Sequence, residues 1–74
     1  MSMRADYRTE KRGYSMAIFK DLFGEFSLHC YWYGLTNRKH GRKVKFFSDL
    51  DSALREYTRI DKLRKRHGYE RLSP

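Results

Sequence analysis

The stretch Phe26-Ser27-Leu28-His29-Cys30-Tyr31-Trp32-Tyr33-Gly34-Leu35 decides the reading of this chain. Its alternation predicts one strand over residues 25–35. Successive strand side chains point to opposite faces. Phe26, Leu28, Cys30 and Trp32 therefore share one face, and Ser27, His29, Tyr31 and Tyr33 share the other. The first set is the expected core face. Trp32, the single tryptophan, then reads two ways: as a ring packed in the core or at the sheet rim, or as a ring turned to a partner. Directly after it comes Thr36-Asn37-Arg38-Lys39-His40-Gly41-Arg42-Lys43, a strongly basic loop. Aromatic rings beside clustered cations suit a nucleic-acid surface.

The flanking segments supply the rest of the fold. Upstream, Tyr14, Met16 and Ile18 alternate with Ser15 and Ala17 and predict a strand over residues 14–20. Asp21-Leu22-Phe23-Gly24 reads as the hairpin turn that joins the two strands. Downstream, residues 36–42 read as a turn and 43–47 as a third strand, with Val44 and Phe46 opposed to Lys43 and Lys45. Phe47 also reads as buried. Ser48 is the expected N-cap of a helix, with Asp51 in the capping-box position. Leu50, Ala53, Leu54, Tyr57, Ile60 and Leu63 form one helical stripe. Arg64, Lys65, Arg66 and His67 fill the last turn, where cations complement the helix dipole. Gly68 is the expected C′ residue, and Tyr69 is expected to fold back. Residues 1–12 are charged and aperiodic and read as a loose basic arm, 13–70 as one domain, and 71–74 as a tail. The expected fold is α+β: a short antiparallel β-sheet of three to four strands packed against one amphipathic C-terminal helix.

Composition bounds the function. A chain of 74 residues makes one domain. A domain of this size buries only about 60% of its unfolded surface, so its core is thin. Net charge is +8, which favours polyanionic partners. The charge is unevenly placed: residues 35–47 hold five cations and no acid, whereas 21–34 and 48–58 are net acidic. With one cysteine, Cys30, no internal disulfide forms, and a reducing compartment is expected. There is no signal-peptide pattern and no apolar run of about 20 residues. The reading is a soluble cytoplasmic protein with no membrane partner.

Enzymatic chemistry finds no support in the motifs. His29, His40, His67 and Cys30 lack metal-ligand spacing, so no metal and no cofactor are expected. His29 and Cys30 point to opposite strand faces and make no dyad. Asp49 and Asp51 read as helix-capping residues rather than a metal pair.

The order and spacing of these pieces resemble the WGR domain, particularly small stand-alone bacterial members. Tyr14-Ser15-Met16-Ala17-Ile18 resembles the first strand of that family, and residues 21–28 a turn and second strand common in it. Trp32 stands at the position of the name-giving tryptophan, Leu35 fits the aliphatic position after the motif, and Gly68-Tyr69 close the pattern. Tyr33 and Gly34 depart from it: they stand where the family has Gly and Arg. The resemblance covers residues 12–70 and implies non-enzymatic DNA binding, near ends in the eukaryotic members.

Two functions follow as expectations. In the first, the chain binds nucleic acid with little base specificity, DNA being the expected partner and RNA the alternative. Arg38, Lys39, Arg42, Lys43 and Lys45 would contact phosphates, His40 would add a donor, and Trp32, Tyr31 or Tyr33 would stack. Arg64, Lys65 and Arg66 form a second basic patch. Such a protein would lie at the nucleoid. In the second, the same surface anchors a protein partner, as in an adaptor or inhibitor.

Overall fold

A computed structural model describes residues 3–36 and 38–72. Five strands form one sheet: β1 (Met3–Arg8), β2 (Arg12–Lys20), β3 (Phe26–Gly34), β4 (His40–Phe47) and β5 (Glu70–Arg71). Helix α1 (Leu50–Arg66) lies between β4 and β5 in the chain. The strand order is β4-β3-β2-β1-β5, with every pairing antiparallel. The fold class is the expected one.

The central register places Tyr14 opposite Trp32, Met16 opposite Cys30 and Ile18 opposite Leu28. These residues line the face that α1 covers. The helix contributes Ala53, Tyr57 and Ile60, at the spacing that keeps side chains on one helical face. Phe26, Phe47, Leu54 and Tyr69 close the margins of this core.

The segment expected to be a loose arm is corrected for Met3–Arg8. It pairs with β2 along its whole length, from Met3–Ile18 to Arg8–Gly13. Ala5 and Tyr7 are 0% exposed, and the Tyr7 hydroxyl donates to Asp61 on α1. The many charges in this segment hid the strand: Arg4, Asp6 and Arg8 alternate with Ala5 and Tyr7, so the polar set takes the helix-free face. The expected tail also contributes structure, because Arg71 pairs with Tyr7 in β5. Met1, Ser2, Asn37, Ser73 and Pro74 lie outside the described residues.

Two boundaries move. The turn expected over 36–42 is shorter, because His40, Gly41 and Arg42 already belong to β4. The helix N-cap is Asp49 rather than Ser48: its Oδ1 accepts from Ser52 N at 2.7 Å. At the other end the expectation holds. Gly68 N donates to Lys65 O at 3.1 Å and Tyr69 N to Arg64 O at 3.0 Å, the paired bonds of a Schellman motif. This reversal turns Tyr69 back onto Tyr14, with ring centroids 6.3 Å apart.

Ion pairs link α1 to the sheet. Glu56 accepts from Lys45 on β4 and from Arg59 on its own helix. Asp61 pairs with Lys65 at 3.2 Å and with Arg71 of β5 at 3.4 Å. Among the described residues, no helix is long and apolar enough to cross a membrane.

Truncation of a fully buried aromatic ring costs about 3–5 kcal/mol. A domain of this size rarely has more than about 3–5 kcal/mol in total. Tyr7→Ala should therefore abolish cooperative urea unfolding followed by circular dichroism. A loose arm would leave the transition unchanged.

Candidate nucleic-acid interface

The β1–β2 turn, the β3–β4 loop and the C-terminus of α1 lie at one pole of the sheet. Leu35 N donates to Lys11 O at 2.8 Å and ties the first two together. Gly34 N donates to Lys39 O at 2.6 Å and closes the second. Three basic segments distant in sequence are thereby gathered: Arg8, Lys11 and Arg12; Arg38, Lys39 and Arg42; Arg64 and Arg66. Arg38 has φ 59°. It is the one non-glycine in the left-handed region among the described residues, and bends the loop sharply.

Trp32 sits at the rim of the helix-covered face, 41% exposed. Both sequence readings of it meet here, since one side of its ring packs and part stays open. The ring stacks on Tyr14 at 6.5 Å with an interplanar angle of 11°. Its position requires Gly41, the residue opposite it on β4: a Cβ there would stand 2.4 Å from the indole. Tyr33 repeats the device on the other face. It lies over its cross-strand partner Gly13, where a Cβ would stand 2.0 Å from the phenol ring. Large rings covering strand glycines pin register and pack an otherwise bare backbone. Tyr33 also stacks on Tyr31, with centroids 5.6 Å apart, and Tyr31 reaches His40 at 6.3 Å. Arg42 stands opposite Tyr31 on the same helix-free face.

The expected site residues therefore divide. Tyr33, His40 and Arg42 lie on the helix-free face, and Arg38 and Lys39 in the loop beside it. Trp32 lies on the helix side. Lys43 is exposed at the edge strand and Lys45 is held by Glu56. A hydrogen bond from Arg59, then the contact with Lys45, opposes the burial of Glu56 and brings its carboxyl down to about 2. In the second patch, Lys65 pairs with Asp61 and Arg66 is exposed. Arg64 turns inward instead. Its guanidinium lies 4.6 Å from the Tyr14 ring centroid and 5.5 Å from that of Tyr69. Its Nε is buried with no hydrogen-bond partner among the described residues.

Arg64 separates two adjoining grooves. One, of about 530 Å³, is lined by Arg12, Gly13, Tyr14, Trp32, Tyr33, Gly34, Lys39, Arg64 and Tyr69, with no acidic residue. The other, of about 930 Å³, adds Arg8, Lys11 and His67, with Glu10 and Glu70 on its wall. Burial, then a hydrogen bond with Cys30, raises the Tyr14 hydroxyl above the usual phenol range, so Tyr14 adds no charge to the smaller groove.

Sequence reasoning missed Arg12, Tyr14 and Tyr69 as neighbours of Trp32. Gly13 and Gly41 carried the signal: each is a small residue in a strand where an aromatic ring across the sheet needs room. Among the described residues, no group of three or more His, Cys, Asp or Glu side chains is placed to hold a metal ion. No family model, curated protein or solved structure matches the chain.

Replacing Gly41 tests the arrangement around Trp32. Gly41→Val should lift the indole off β4 and shift its fluorescence emission to the red. The loss of stability should be about 1 kcal/mol, the scale of one cross-strand aromatic pair. An unchanged spectrum would contradict the packing.

Proposed function

We propose that this chain is a non-enzymatic nucleic-acid-binding module, with DNA as its main partner and the basic pole as its contact surface. The observation that carries the reading is the convergence of three basic segments around exposed or half-exposed rings. Arg12, Arg38, Lys39, Arg42 and Lys43 contact phosphates, which fix position without reading sequence. Trp32 and the Tyr31–Tyr33 pair offer two stacking surfaces, one on each side of β3. Each stacked base contributes roughly 1–3 kcal/mol and tolerates any sequence. Among the described residues the basic pole is built from turns, strand ends and a helix C-terminus rather than a helix laid out for the major groove, so base specificity is low.

The resemblance to the WGR domain belongs to the same proposal. Gly34 stands where that family has its arginine, and Arg12, Lys39 and Arg64 around the Trp32 ring supply cations in its place. The reading puts the protein in the cytoplasm, at the nucleoid. A protein-interaction reading is favoured by a different surface, the exposed Leu22–Phe23 turn at the opposite pole.

Salt dependence tests the proposal. About five phosphate contacts give a log–log slope of affinity against salt near −4.5 on duplex DNA and near −3.5 on a single strand. Trp32 quenching by blunt-ended, nicked and single-stranded oligonucleotides at several salt concentrations measures both. Replacing Arg38, Lys39 and Arg42 with Gln should reduce the slope by about three. An affinity indifferent to salt would refute the reading.

A further inference from the structure

The pole opposite the basic one has a different chemistry. Leu22 and Phe23, in the β2–β3 turn, are 99% and 91% exposed. Large apolar side chains left so bare on a small domain mark an interaction site more readily when they are rigidly presented. Here they are. Asp21 Oδ1 accepts from Phe23 N at 2.8 Å and from Glu25 N at 2.9 Å, and Asp21 N donates to Glu25 O at 2.9 Å. The turn is a fixed knuckle with its two apolar side chains outermost.

The charge around it is the reverse of the chain as a whole. Asp21 and Glu25 flank the knuckle, and Asp49 and Asp51 stand at the helix start on the same pole, where carboxylates outnumber the nearby cations Lys20 and Arg55. The surface complementary to an apolar tip ringed by carboxylates is an aromatic groove ringed by cations. This molecule has one at its other end: the groove of about 530 Å³ walled by Trp32, Tyr14 and Tyr69, with Arg12, Lys39 and Arg64 at its edge. That volume falls within the usual range of small-ligand pockets and accepts an aromatic side chain.

We propose that the Leu22–Phe23 knuckle of one copy docks into the Trp32 groove of a second copy, giving head-to-tail association of this chain. Such a contact is heterologous: knuckle and groove lie on opposite poles, so each docked pair leaves one knuckle and one groove free and the assembly grows open-ended. The complementary charges around the two surfaces set the orientation of docking. Nucleic-acid binding uses no residue of the knuckle but shares Trp32, Arg12 and Lys39 with the groove, so docking and nucleic acid compete for one surface.

Sedimentation velocity of nuclease-treated protein over a range of concentration gives the test. Wild-type protein should show a distribution that shifts to larger species as concentration rises. Leu22→Ser with Phe23→Ser in one chain should remain a single-chain species and bind oligonucleotide at least as tightly as the wild type, because its groove is never occupied by a knuckle. Arg12→Glu with Lys39→Glu in one chain should also remain single. A mixture of these two variants retains one working knuckle and one working groove, and should form species of two chains and no more. A wild-type chain that stays single throughout, association that survives loss of the knuckle, or a mixture that does not pair would each overturn the proposal.

Discussion

The β2–β3 pairing determines which side of the sheet the helix can cover. Its register puts Tyr14, Met16 and Ile18 on one face with Trp32, Cys30 and Leu28. A slip of one residue would carry every one of these side chains to the opposite side. With one helix of 17 residues to cover five strands, only that face is closed. The other is left with Phe19, Tyr31 and Phe46 exposed, and with Arg4, Arg8 and Arg42 in the same layer. On β4 the usual sorting is inverted. Lys43 and Lys45 share the helix side, and Lys45 is accommodated there by Glu56. A charged edge strand of this kind also discourages indiscriminate pairing with other chains.

The same register sets the electrical polarity of the molecule, which extends 39 × 22 × 17 Å. Hairpin turns at one end carry arginine and lysine, and the turn and helix start at the other carry carboxylates. Arg64 is the hinge between core and surface at the basic end. It is drawn over Tyr14 and Tyr69 by cation–π attraction, and its side chain lines both grooves. Tyr69 reaches this place because the Schellman turn at Gly68 reverses the chain. A helix-capping detail thus shapes the wall of the candidate site.

The α+β class, the β2–β3 hairpin and the helix stripe were legible in the sequence because each rests on local periodicity. Tyr14-Ser15-Met16-Ala17-Ile18 alternates without interruption, and Ala53, Tyr57 and Ile60 recur at helical spacing. β1 was not legible, because two buried residues, Ala5 and Tyr7, sit among charges whose partners are not all on the same strand. Asp6 shows why. Its carboxyl is lowered first by the hydrogen bond from Ser15 and then by Arg4, and Ser15 is a neighbour only after pairing. The basic loop was legible as a cluster. Its union with Arg12 and Arg64 depends on long-range register and could not be read from either segment alone. Lys45 was placed in the cluster by proximity in sequence, yet strand alternation turns it toward the helix.

Amide chemical-shift mapping by NMR, with a short blunt duplex and a single-stranded oligonucleotide titrated in turn, tests the central claim most directly. Saturable changes should be concentrated in residues 8–13, 31–43 and 64–69. Changes centred on the acidic pole, or none that saturate with either ligand, would contradict it.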